Sequence, residues 1–226
     1  ESYQDLTSEG AGGGGFGSNA DFDPTGGQDS LVMSEDGRFL YATNPGSGEI
    51  SVFFLTSFGR PILIQRVSSG GIFPASIAMD GDILYVINGG GDGALVAFER
   101  NQDNGTIEEI QGGTQTFNFG FDGLPMGFDR NFAPGDLAFD TVKRRLMMVY
   151  AGGGEIVSTA DLTNLPPPVA AAVPEAPTGQ IYTWELDNDG LVVGAPEIRD
   201  ADGILPFAIE FTENGWGLVV SAVTGS

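Results

Sequence analysis

Ser34-Glu35-Asp36-Gly37-Arg38-Phe39-Leu40-Tyr41-Ala42-Thr43-Asn44, within the longer stretch Gln28 to Leu55, decides the fold. Short apolar runs alternate with turn residues: Ser30 to Met33, then Glu35-Asp36-Gly37, then Phe39 to Ala42, then Pro45-Gly46-Ser47-Gly48, then Ile50 to Leu55. Asp-Gly between two apolar runs is a strong hairpin signal, because Gly accepts a positive φ and Asp tolerates it. The stretch therefore reads as a three-strand meander.

The pattern recurs. Ser76-Ile77-Ala78-Met79 copies Ser30-Leu31-Val32-Met33, and Asp80-Gly81-Asp82 is the turn. Ile83 to Asn88 copies Phe39 to Asn44, Gly89 to Gly93 is the next loop, and Ala94 to Phe98 the third strand. Tyr41 and Tyr85 are separated by a period within the ~40–50 residues of a propeller blade. A fourth strand follows each triplet, Ile62 to Val67 and then Thr106 to Ile110. A third repeat begins at Ala133-Pro134, with strands at Asp136 to Phe139, Arg145 to Tyr150, Gln180 to Leu186 and from Leu191. A fourth begins at Leu205-Pro206, with strands at Phe207 to Phe211 and Gly217 to Ser221. The sequence predicts an all-β fold: a Gly-rich segment over 1–27, then a partial β-propeller over 28–226. Its four-stranded antiparallel blades lie near 28–70, 71–111 and 133–199, with an incomplete one over 205–226. Segments 112–132 and 151–179 break the period as insertions, the second holding Leu165-Pro166-Pro167-Pro168, which cannot join a central sheet.

Ser34 to Asn44 and Ile83 to Gly90 resemble the Tyr-Val-Thr-Asn type of propeller repeat. Phe73-Pro74 followed by Ser76-Ile77-Ala78, with Gly90-Gly91-Asp92-Gly93 and an Ala-Phe strand, is similar to the lactonase-like propellers, a group that includes bacterial 6-phosphogluconolactonases and fungal 3-carboxymuconate cyclases. The resemblance covers about Gln28 to Ser226 and implies seven four-stranded blades around a channel, of which about three and a half are present. It implies action on small sugar-acid or muconate-type lactones, by opening or closing an ester ring. It also implies a site built from His, Arg and Glu. The chain has no His, so no catalytic residue is carried over.

Composition narrows the partners. The chain has 226 residues and a net charge of −22, which argues against nucleic acid and anionic membrane surfaces, since both call for clustered Lys and Arg. It has no Cys and no His, which removes disulfides, thiolate chemistry and the commonest general base and metal ligand. No apolar run approaches a membrane span. Asn104-Gly105-Thr106 is a glycosylation sequon in a turn, consistent with a secreted protein. Gly10, Gly12 and Gly15 match a dinucleotide spacing without the flanking strand and helix that motif needs. Asp187-Asn188-Asp189-Gly190 and Asp200-Ala201-Asp202-Gly203 look like calcium-loop fragments, but their twelfth positions are Ile198 and Phe211. No metal and no cofactor is expected.

In an up-and-down meander the first–second and third–fourth strand turns share one face of the propeller. The second–third loops and the links between blades share the other. Asp36-Gly37, Asp80-Gly81, Asn104-Gly105 and Asp189-Gly190 fall on the first, the turn face. Both insertions fall on the second, the loop face, where a ligand pocket is expected. That face would carry Asp29, Asn44, Glu49, Phe73, Asn88, Asp92, Arg130, Asp136 and Asp202. Each Asn and Asp reads either as a turn residue bonding its own backbone or as a ligand contact. Phe117, Phe119, Phe121, Met126, Phe128 and Phe132 read as a small satellite core or as a stacking platform for a sugar or lactone ring. Arg130 could clamp a carboxylate and Asp136 could move a proton. Three functions follow: a lactonase or cyclase, a non-catalytic propeller binding glycan or protein, and a structural assembly subunit. In each, the remainder of the propeller is expected from the same gene product or a second chain.

Overall fold

The computed structural model describes residues 29–117, 134–150, 179–201 and 203–224. Among them there are fourteen strands and no helix. β1 (Leu31–Met33), β2 (Phe39–Asn44), β3 (Glu49–Leu55) and β4 (Pro61–Ser68) form one antiparallel meander, blade 1. β5 (Ile72–Asp80), β6 (Ile83–Gly90), β7 (Ala94–Arg100) and β8 (Ile107–Thr116) form blade 2. β9 (Pro134–Asp140), β10 (Arg145–Tyr150), β11 (Gln180–Leu186) and β12 (Val192–Asp200) form blade 3, and β13 (Gly203–Phe211) pairs with β14 (Gly217–Thr224) in a fourth sheet. This is a partial β-propeller.

The first turn shows why the Asp-Gly pairs work. Gly37 sits at φ 69, and its N–H donates to the Ser34 carbonyl at 2.8 Å. Asp36 Oδ1 accepts the Ser34 hydroxyl at 2.6 Å and the Arg38 N–H at 3.0 Å. The two donors hold the Asp36 carboxyl below its ordinary range.

β8 runs past Gly112 to Thr116, where the sequence suggests the start of an insertion. The cause is a bulge: β7 pairs with β8 in register at Phe98↔Glu109 and again at Val96↔Thr114, so the residues between are looped out. Gly112 takes φ 82 there, and a Cβ on Gly113 would lie 2.8 Å from that of Ala97.

Because side chains alternate along a strand, blade 2 is buried on both faces. Toward blade 1, Ile77, Leu84, Val86, Val96 and Phe98 pack on Phe39, Tyr41, Ile50 and Val52. Toward blade 3, Tyr85, Ile87, Leu95 and Ala97 pack on Leu137, Leu146, Met148, Tyr182 and Trp184. The two repeat tyrosines tie these interfaces. Tyr41 donates to the Gly105 carbonyl at 3.0 Å, and Tyr85 to the Gly190 carbonyl at 3.3 Å, in each case in the outer hairpin turn of the following blade.

Candidate functional site at the inner strands

The first strands of the blades, β1, β5, β9 and β13, lie side by side: β5 contacts β1 and β9, and β9 contacts β13. Their residues align as Ser30-Leu31, Ser76-Ile77, Asp136-Leu137 and Ala208-Ile209. The backbone N–H of the second residue is capped from the preceding blade in the last three of these pairs. Ile77 N–H donates to the Asp29 carbonyl at 2.9 Å, Leu137 N–H to the Ser76 hydroxyl oxygen at 3.1 Å, and Ile209 N–H to Asp136 Oδ2 at 2.9 Å.

Asp136 is the one charged member of this row. It is 2% exposed, so three blades meet on a single carboxyl group. Oδ1 accepts the Ser76 hydroxyl from blade 2 at 3.1 Å and its neighbour Leu137 N–H at 2.9 Å, and Oδ2 accepts Ile209 N–H from the fourth sheet. Burial pushes its pKa up to about 7. The Asp29 charge pushes the same way, and the bonds from Ile209, Ser76 and Leu137 oppose it. Asp29 is raised in turn, by burial and then by Glu210. Asp29, Asp136 and Glu210 thus form an acidic group around the inner strands, and Asp136 is held near neutrality, where a carboxyl can both take and give a proton at physiological pH.

The other candidates separate. Asn88 is fully buried and ties the link between blades 1 and 2 to its own loop. It donates to the Ser69 carbonyl at 3.0 Å and accepts the Ser69 hydroxyl at 2.6 Å. Asn44 is 5% exposed and donates to Ser51 Oγ at 2.8 Å. Both buried amides thus hydrogen-bond to nearby backbone or hydroxyl groups. Phe73 is buried as well. It is 3% exposed, packs in the core between blades 2 and 3, and takes φ 60 just before the β5 bulge at Pro74/Ser76. Asp29, whose φ is 52, is exposed as a residue although its carboxyl is partly enclosed, and Asp92 in the loop after β6 is exposed. Glu49 pairs with Arg66 at 3.6 Å. Asn104 is exposed, and its Oδ1 accepts the Thr106 hydroxyl at 2.7 Å. Arg130, Phe128 and Asp202, and the insertion segments 118–133 and 151–178, lie outside the described residues. Of the aromatic insertion, Phe117 is described. It packs edge-on to Tyr182 and Trp184 at 6.0 and 5.9 Å, as part of the core.

An open cavity of about 540 Å³ lies on the turn face between blades 2 and 3. Asp80, Asp82, Glu99 and Asp189 give it an acidic wall and Arg144 a basic one. Sequence reading passed over Ser76 and Glu210, and over the tyrosine ties. The signal for Ser76 was available: it occupies the same repeat position as Asp136.

Residues 18–118 match the family model described as lactonase, seven-bladed β-propeller. An uncharacterised protein of Staphylococcus aureus is 35% identical over 81 residues, a stretch spanning 34% of this chain and 24% of that relative's length. A Bacteroides fragilis structure described as a candidate 6-phosphogluconolactonase superposes with TM-score 0.56 at 17% identity, covering 85% of this chain and 47% of the other. The periplasmic gluconolactonase of Pseudomonas aeruginosa superposes with TM-score 0.52 at 20% identity, covering 84% and 46%. The chain thus spans about half the length of those two structures. The resemblance to lactonase-like propellers read from the repeats is supported by these matches.

Proposed function

We propose that the protein acts on a small sugar-acid or muconate-type lactone, opening or closing the ester ring, with Asp136 moving the proton and Arg130 holding a substrate carboxylate. The observation that carries the reading is the lactonase family match over residues 18–118. Asp136 supports it as the inner-strand carboxyl held near neutrality. In ring opening, a base takes a proton from water as the water oxygen bonds to the lactone carbonyl carbon. The ester C–O bond then breaks, and the same group returns the proton to the leaving ring oxygen. A group with a pKa near the working pH suits both halves.

A lactone hydrolysis assay with gluconolactone, 6-phosphogluconolactone and a muconolactone tests this. Asp136→Asn is expected to lower kcat by about 100-fold or more with little change in KM, and Arg130→Ala to raise KM. Ring opening no faster than the spontaneous reaction on all three would remove the enzymatic reading.

A second reading, a non-catalytic propeller that binds glycan or protein, is favoured by a specific observation. The Asp136 oxygens already accept from three donors, and the chain has no His. Calorimetric binding of an oligosaccharide or protein partner without turnover, unchanged in Asp136→Asn, would support it. Secretion belongs to the same proposal, with Asn104 as the glycan acceptor. Material from a eukaryotic secretory host should shift in mass on amidase deglycosylation, and Asn104→Gln should not.

A further inference from the structure

Capping the N–H of an inner strand needs no side chain. The Asp29 carbonyl caps Ile77 from the main chain, at 2.9 Å. One blade later the cap on Leu137 is the Ser76 hydroxyl instead, at 3.1 Å. A carbonyl can only accept, whereas a hydroxyl also donates. Ser76 is fully buried, so its hydrogen needs an acceptor. Among the described residues that acceptor is Asp136 Oδ1, at 3.1 Å. What Ser76 adds to the row of caps is therefore a donor aimed at the Asp136 carboxyl group.

The two carboxyl oxygens differ as a result. Oδ1 accepts the Ser76 hydroxyl and shares the Leu137 N–H, at 3.1 and 2.9 Å. Both of its lone pairs are occupied, and a proton placed there would displace one of these donors. Turning the Ser76 hydroxyl away would leave a buried hydrogen without an acceptor among the described residues. Oδ2 accepts the Ile209 N–H alone, at 2.9 Å, and keeps a second lone pair. We propose that Ser76 is a positioning residue for Asp136: by saturating Oδ1 it makes Oδ2 the oxygen that carries and exchanges the proton. The use of that proton on a lactone rests on the function proposed above; the assignment of the oxygen does not. In ring opening, the proton of the attacking water passes to Oδ2 and returns from Oδ2 to the leaving ring oxygen, while Oδ1 accepts throughout. The charged groups around Asp136 are Asp29, ahead of β1, and beyond it Glu210 on β13. Both are acidic, so Ser76 is the side-chain donor to this carboxyl group among the described residues.

The test is an NMR titration of the protein from about pH 4 to about pH 9, following the Asp136 carboxyl carbon and the amide protons of Leu137 and Ile209. In the wild type the Ile209 amide should move further than that of Leu137 at the Asp136 midpoint, because protonating Oδ2 weakens the bond Ile209 makes. A larger movement at Leu137 would put the proton on Oδ1 and overturn the assignment. Ser76→Ala removes a donor that favours the ionised carboxylate, so the Asp136 midpoint should rise by about one pH unit. A midpoint that stays in place would reduce Ser76 to a cap and nothing more. Lactone hydrolysis is read separately. No turnover by the wild type, with both NMR results as expected, removes the reaction and keeps the role of Ser76. Turnover whose pH profile is the same in Ser76→Ala keeps the reaction and removes that role.

Discussion

Tyr85 and Gly190, more than a hundred positions apart in sequence, share a hydrogen bond that closes the interface between blades 2 and 3. The Tyr85 hydroxyl donates to the Gly190 carbonyl at 3.3 Å and accepts the Val192 N–H at 2.8 Å. Tyr41 donates to the Gly105 carbonyl one blade earlier, at 3.0 Å, with the Arg100 side chain beside its hydroxyl and no second backbone partner among the described residues. Tyr85→Phe strips partners from two backbone groups and should cost about 2–3 kcal/mol in urea unfolding, against about 1 kcal/mol for Tyr41→Phe. Equal losses would mean that the second bond, from Val192, contributes nothing.

Gly105→Ala should be the most damaging glycine substitution on the turn face. Its Cβ would fall 2.1 Å from the Phe39 ring, and the residue sits at φ 75. The expected loss is about 3 kcal/mol or more. Gly37→Ala and Gly81→Ala, also at positive φ but facing open space, should lose about 1 kcal/mol. Matching melting temperatures for all three would contradict the contact with Phe39.

Asp136 should make stability depend on pH in a definite direction. Its folded-state pKa lies at about 7, against an ordinary 3.8. The fold therefore favours the neutral acid: the contribution is fully present below the unfolded value and is lost as pH rises through the folded one. The stability of the wild type relative to Asp136→Asn should fall by about 2 kcal/mol from about pH 5 to about pH 8. Unfolding curves whose difference is flat over that range would show that the carboxyl is ionised throughout.

Asn88→Ala should destabilise the chain by about 2 kcal/mol, because it leaves the Ser69 carbonyl unpartnered in the interior and the Ser69 hydroxyl with only its longer bond to the Gly71 carbonyl. It should not alter affinity for any lactone or glycan. A ligand-affinity change without a stability change, measured by calorimetry and thermal melts on the same variant, would mark Asn88 as a contact residue.

The strands were legible because period-two alternation and Asp-Gly turns are local signals. Leu31 to Leu55 and Ser76 to Phe98 carry both. The β7–β8 bulge was not, since nothing near Gly112-Gly113 shows that Thr114 and Thr116 return to the ladder opposite Val96 and Ala94. For the site, alternation placed Asp136 on an inner strand. Its burial depends on Ser76 and Ile209, which are 60 and 73 positions away. Asn88 and Asn44 carry the same local signal as ligand-facing loop residues. Only their enclosure by Ser69 and Ser51 separates the two roles, and enclosure is a tertiary property.

The tyrosine ties and the inner-strand caps all reach forward along the chain: Tyr41 and Asp29 to blade 2, Tyr85 and Ser76 to blade 3, Asp136 to the fourth sheet. During synthesis each receptor therefore leaves the ribosome before the segment it holds. Every new blade meets a finished acceptor on its predecessor, and assembly acquires a polarity from the first blade onward. The row of caps ends at Ala208, whose methyl group can accept no N–H. A cap from this position can come only from the main chain, as the Asp29 carbonyl already caps Ile77.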